Sequence, residues 1–202
     1  MRREIIAILR GVTPADANSV CEVLVGAGIT IIEIPLNSPD PLVSIGNAAK
    51  AFIGRAEIGA GTVLSTDDVE DVKSVGGSLI VSPDTNEEVI RRTRALSMAS
   101  YPGVFTPTEA FRAVRAGADG LKFFPAEVLG AAGIKAMKAV LPREIPVYAV
   151  GGANPDNFRE YFAAGCAGFG LGSYIFKPGM ALGEIAQRAK AAVAAYDEGT
   201  KQ

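Results

Sequence analysis

The chain of 202 residues contains no histidine and only two cysteines. Without histidine a Ser-His-Asp triad cannot be assembled, and zinc sites lose their commonest ligand. Acid–base work must fall to carboxylates, lysine, tyrosine, cysteine or water. Cys21 and Cys166 form no CxxC pair and read as two buried, reduced thiols. Neither sign of charge is in large excess: Lys plus Arg is 20 and Asp plus Glu is 22, a net charge of −2. No basic patch points to nucleic acid, and no basic amphipathic helix points to a membrane surface. No apolar run approaches the ~20 residues of a spanning helix. The opening MRREIIAILRG carries two arginines and then five apolar residues, too few for the apolar region of a signal peptide. The expectation is a soluble, cytoplasmic protein.

What the chain does have is apolar material, 49% of residues, arranged in short runs that alternate with helical patterns. Strand candidates are EIIAILR (4–10), ITIIEIPL (29–36), EIGAGTV (57–63), SLIVSP (78–83), SMASYPG (97–103), GLKFFP (120–125), IPVYAVGG (145–152) and GFGLGS (168–173). Between them, segments such as DANSVCEVLVGAG, TEAFRAVRAG and EIAQRAKAAVAAY place apolar residues at i, i+3 and i+4. Helix starts are marked at Thr13-Pro14, Ser65-Thr66-Asp67-Asp68, Thr106-Pro107 and Asn154-Pro155-Asp156. Helix ends are marked by Gly26, Gly28, Gly117 and Gly165. Eight strand–helix units of roughly 25 residues, with strands apolar on both faces and no linker between them, predict an α/β fold: one (β/α)8 TIM barrel domain over residues 1–202. A doubly wound open sheet is the competing architecture. It would need a glycine fingerprint after the first strand, where LRGVTP offers one glycine.

In such a barrel the chemistry sits at the C-terminal ends of the strands. The polar residues there are Arg10, Glu33, Asn37, Thr62, Ser82, Asp84, Lys122, Glu127 and Ser173. Lys122 and Glu33 interrupt apolar strands. By strand alternation Lys122 shares a face with Phe124, and Glu33 with Ile31 and Pro35. Neither charge fits a face packed under helices, so both should point into the barrel mouth from opposite strands. A structural ion pair is the plainer alternative, but desolvation makes buried pairs poor stabilisers. A lysine in an apolar pocket loses its charge more readily, and the neutral amine can attack a ketone to form a Schiff base. Glu33 can then move protons. Arg10 offers a planar fork suited to a carboxylate, and Thr62 a hydroxyl. Gly151-Gly152 and the GLGS segment with Gly172 and Ser173 end the last two strands. There, backbone N–H groups and a following helix N-terminus can hold phosphate. Asp67-Asp68 reads as a helix start rather than a metal site, Glu127 as an N-terminal helix acid, and Cys166 as core.

LKFFPAE around Lys122, EIPLNSP around Glu33, IGAGTVL around Thr62, and AVGG followed by GLGS resemble the aldolases of 2-keto-3-deoxy-6-phosphogluconate (KDPG) and 2-keto-3-deoxy-6-phosphogalactonate (KDPGal). The likeness runs in order from about Ile5 to Ala195. It is nearest to the KDPGal branch: Arg10 ends the first strand, IPLNSP follows Glu33 where gluconate-type enzymes typically read VTLRT, and Val150 stands where those enzymes typically have threonine. The resemblance implies a (β/α)8 barrel and class I chemistry, with Lys122 as the Schiff-base lysine and Glu33 as general acid/base. It implies Arg10 and Thr62 at the substrate carboxylate, Gly151, Gly152, Gly172 and Ser173 at the phosphate, and Val150 in selection at C4. It further implies no metal or other cofactor, a homotrimer, and a reaction joining a phosphorylated 2-keto-3-deoxy sugar acid to pyruvate and D-glyceraldehyde 3-phosphate. The alternatives are a KDPG or 4-hydroxy-2-oxoglutarate (KHG) aldolase, or a phosphosugar-binding barrel without aldolase activity.

Overall fold

Strands and helices alternate along the chain as the hydrophobic pattern requires. The computed structural model describes residues 2–201, so the outermost residues of the predicted domain, Met1 and Gln202, lie outside the described residues. The strands are β1 (Ile5–Ile8), β2 (Ile31–Pro35), β3 (Glu57–Gly61), β4 (Leu79–Val81), β5 (Ala99–Tyr101), β6 (Gly103–Val104), β7 (Leu121–Phe123), β8 (Val147–Val150) and β9 (Gly168–Leu171). The helices are α1 (Pro14–Ala27), α2 (Pro41–Ala51), α3 (Thr66–Ser74), α4 (Glu87–Ala95), α5 (Pro107–Ala116), α6 (Ala126–Lys138), α7 (Phe158–Ala163) and α8 (Leu182–Gly199).

All strand pairs are parallel, in the order β5-β4-β3-β2-β1-β9-β8-β7-β6. β5 and β6 are separated only by Pro102, which has no N–H for a ladder. β5 pairs with β4 and β6 with β7. The two segments are thus one barrel strand, broken at the proline, and the sheet closes into the expected eight-stranded barrel. Each predicted strand is present but shorter.

Side chains alternate as predicted. Ile5, Ala7 and Leu9, or Leu121 and Phe123, pack outward under the helices, whereas Ile6, Ile8, Leu79, Val81, Tyr148 and Val150 fill the interior. In the outer layer Phe158 of α7 stacks on Phe169 of β9 with ring centroids 3.7 Å apart. Burying such a ring contributes roughly 1.5–3 kcal/mol. Inside, Gly120 has no side chain because a Cβ there would stand 2.7 Å from the Tyr148 ring.

Local signals hold where they were strongest. Ser65 and Asp68 form a capping box on α3, and Thr106 and Glu109 another on α5. Gly28 and Gly117 end α1 and α5 in the left-handed conformation. Gly26 is a correction: α1 runs through it to Ala27. Cys21 and Cys166 are free and buried. Burial pushes both thiols up to about 12, which leaves them protonated and unreactive. No helix among the described residues is long and apolar enough to cross a membrane.

Candidate active site

The ends of β1, β3, β4, β7, β8 and β9 converge on one cleft of about 690 Å³ at the C-terminal face of the barrel. Arg10, Thr62, Lys122, Val150, Gly151, Gly152, Gly172 and Ser173 all line it. Glu33 does not. It is 1% exposed and lies at the level of Ile8 and Gly59 in the ladder, beneath the mouth into which the sequence pattern aims it. Its Oε2 has no hydrogen-bond partner. The carboxylate fits there because β3 carries Gly61, where a Cβ would collide with it. Gly61 is therefore part of the site. The clue was in GAGT, in which a glycine precedes the threonine already singled out.

Lys122 is 7% exposed, on a three-residue strand with buried neighbours on both sides. Among the described residues neither Lys122 nor Glu33 joins an ion pair. The lysine Nζ lies 4.8 Å from the centre of the Phe124 ring. Burial pulls the Lys122 ammonium below the ordinary lysine range, and the charge of Arg10 adds to this. Attraction to Glu33 opposes both. Burial raises the Glu33 carboxyl to about 7, against the attraction of Lys122 and Arg10. The buried amine thus gives up its proton more readily than an ordinary lysine, and the carboxyl group keeps its proton to higher pH than an ordinary glutamate.

On the opposite wall the Arg10 guanidinium donates to Asn37 Oδ1 at 2.5 Å and stands 3.4 Å from Thr62 Oγ1. Asn37 follows Glu33 by one turn of loop and holds the arginine fork. As a lone asparagine it signalled nothing about its partner. Thr62 has φ +56°, a left-handed conformation that a β-branched residue adopts only under strain.

The third wall is backbone. Gly151 and Gly152 have φ +92° and +74°. The N–H groups of residues 151–153 and 172–174 donate to no protein acceptor among the described residues. Two loops of unpaired donors facing one cleft are suited to an anion. The expected helix N-terminus is not what supplies them. After β9 the chain makes a turn closed by Ile175 and Phe176 N–H to Gly172 O, and α8 begins only at Leu182. Lys177, which drew no attention in the sequence, also lines this end of the cleft. Ser82 and Glu127 lie outside it: Ser82 Oγ donates to Val63 O at 2.8 Å, and Glu127 is an exposed acid in the first turn of α6.

Chemically, the cleft offers a desolvated amine, a guanidinium with a hydroxyl and two loops of unpaired N–H groups, with a buried carboxyl group beneath it. The family model of the KDPG and KHG aldolases matches residues 1–191. A protein of Rhizobium meliloti (strain 1021), named a probable 2-dehydro-3-deoxy-6-phosphogalactonate aldolase, is 54% identical over 98% of this chain and 93% of its own. The 2-dehydro-3-deoxy-6-phosphogalactonate aldolase of Escherichia coli (strain K12) is 47% identical over 96% and 95%. The solved native KDPGal structure superposes with a TM-score of 0.98 at 45% identity, over 100% of this chain and 98% of that one. Fold, cleft and likeness agree, and the chain belongs to the KDPG and KHG aldolase family of lyases.

Proposed function

We propose that this chain is a class I aldolase that cleaves 2-dehydro-3-deoxy-6-phosphogalactonate to pyruvate and D-glyceraldehyde 3-phosphate. The observation that carries the reading is the buried pair Lys122, which lines the cleft, and Glu33, buried beneath it, neither of them ion-paired among the described residues. Two ionisable groups left without ion-pair partners in a barrel interior cost stability, and a lysine that forms an imine with a ketone, together with its proton carrier, accounts for keeping them. The two relatives named for the galactonate substrate support the choice of epimer.

In this reading the neutral Lys122 amine adds to the C2 ketone, and the carbinolamine loses water to give a protonated imine. Glu33, as carboxylate, takes the C4 hydroxyl proton directly or through a water. The C4 oxygen forms the aldehyde, the C3–C4 bond breaks, and its electron pair passes into the enamine. After glyceraldehyde 3-phosphate leaves, Glu33 helps return a proton to C3. Water adds to the imine and releases pyruvate and the free amine. Arg10 and Thr62 receive the substrate carboxylate. The N–H groups of Gly151, Gly152, Gly172 and Ser173 receive the phosphate on C6, at the other end of the cleft. Val150 presents methyl groups rather than a hydroxyl near C4. The family's usual homotrimer is the assembly we expect, in the cytoplasm.

Incubation with pyruvate and sodium borohydride, followed by peptide mapping, tests the mechanism. The expected product is a reduced pyruvyl adduct on Lys122. Absence of any adduct in folded protein would leave a phosphosugar-binding barrel without aldolase chemistry. Comparing kcat/KM for the two C4 epimers tests the substrate. A preference for the gluconate epimer would reverse the assignment.

A further inference from the structure

The anion cradle contains an arrangement that the catalytic reading leaves unexplained. The Gly152 carbonyl accepts two side-chain amide hydrogen bonds, from Asn154 Nδ2 at 3.0 Å and from Asn157 Nδ2 at 2.9 Å. The oxygen atoms of the same amides are also engaged. Asn154 Oδ1 accepts from the Asp156 N–H at 3.0 Å, and Asn157 Oδ1 from the Asn154 N–H at 3.0 Å. Every polar atom in this ring has a role, which fixes the orientation of both amides. Both lone pairs of the Gly152 oxygen are used.

We propose that Asn154 and Asn157 are positioning residues that lock the Gly152–Ala153 peptide with its N–H side available to the substrate phosphate. Gly151 and Gly152 are the most pliable kind of dipeptide, both at positive φ. Unrestrained, the peptide plane can turn and present a carbonyl oxygen to the anion, replacing attraction with repulsion. In a trans peptide the C=O and the following N–H point opposite ways. Holding the Gly152 oxygen against the two asparagines therefore turns the Ala153 N–H away from them. Ala153 lines the cleft and is 6% exposed, yet its N–H has no protein acceptor. Buried N–H groups without partners are rare, so this one calls for a ligand atom. The sequence showed ANPDN only as a helix start. The structure uses the start for a second purpose, because the short 3-10 turn at Pro155–Asn157 brings both amides back onto one carbonyl.

The inference rests on the phosphate being bound at this loop, as in the proposed function, and its test separates the two. Asn154→Ser keeps a capping oxygen for the Asp156 N–H but cannot reach Gly152. Asn157→Ser and the double variant remove the second bond. In the condensation direction, KM for glyceraldehyde 3-phosphate should rise about tenfold or more in the double variant. With unphosphorylated glyceraldehyde, kcat/KM should stay within about twofold, and pyruvate trapping on Lys122 should be unchanged. A parallel loss with both aldehydes, or no change with either, overturns the proposal. Inorganic phosphate titrated by 31P line width answers without catalysis: weaker binding by the variants supports the lock, and equal binding overturns it. If wild-type protein traps no pyruvate while the variants lose phosphate as expected, the aldolase reading fails and the lock stands.

Discussion

The two ends of the barrel hold similar chemical groups and treat them in opposite ways. At the N-terminal end Arg2 bonds Glu57 at 2.5 Å and lies 3.3 Å from Glu4, and the Tyr148 hydroxyl donates to Glu4 at 2.8 Å. The Tyr101 and Tyr148 rings meet edge to face, 5.4 Å apart. Burial, then the neighbouring Tyr101 and Glu4, keeps the Tyr148 phenol protonated well above its usual range. Each polar group at this end has a partner, and the cluster plugs the barrel. At the C-terminal end Glu33 and Lys122 are also buried but belong to no ion pair among the described residues. The same chemistry stabilises when satisfied and stays reactive when it is not.

The largest expected effect is at the top. Lys122→Met should lower kcat/KM by on the order of 10⁴-fold or more and abolish borohydride trapping. Its melting temperature should be unchanged or higher, because a desolvated amine is replaced by an apolar chain. A large loss of stability would mean that Lys122 behaves like the groups at the bottom. Glu33→Gln should lower kcat by roughly 10²–10⁴-fold while pyruvate still traps on Lys122, since the amine is intact.

Glu33→Gln also carries a pH signature. The folded pKa of Glu33, about 7, lies above the ordinary 4.5. Between those values the native chain holds a proton that the unfolded chain has lost. Stability present below pH 4.5 is therefore lost as pH rises toward 7, by up to about 3 kcal/mol. The variant should show a flatter profile in that window, read by denaturant unfolding at several pH values. An unchanged slope would place the titration elsewhere.

Smaller effects belong to the bottom and to the strained wall. Tyr148→Phe should cost about 1–2 kcal/mol of stability with kcat/KM nearly unchanged, and a fall in kcat/KM would show that the plug communicates with the cleft. Thr62→Gly should relieve roughly 1–3 kcal/mol of backbone strain, partly offset by the added freedom of the unfolded chain. It should also raise KM severalfold by removing the hydroxyl beside Arg10. If Tm falls instead, the left-handed turn is held by that side chain rather than against it.

The elements most legible in the sequence were those whose signal is local. Alternation placed Lys122 inward and Leu121 and Phe123 outward, and capping placed Ser65 and Thr106 at helix starts. What escaped were consequences of one strand on another. The break at Pro102 is invisible until β4 and β7 are seen to pair with different sides of it. The depth of Glu33 depends on Gly61, on the neighbouring strand. Arg10 is aimed by Asn37, 27 positions away, and a side chain's partner across a loop leaves no periodic trace.

By itself, then, the sequence determined the barrel, the face on which each strand residue lies, and the residue types available for chemistry, because these follow from periodicity, turn chemistry and composition. Tertiary structure alone decided which charges find partners. Glu4 meets a phenol and an arginine at one end, while Glu33 at the other occupies the space a glycine leaves, with its Oε2 accepting no hydrogen bond. Desolvation and hydrogen-bond geometry are set by neighbours that closure of the sheet brings together, and closure joins residues that the chain order keeps apart.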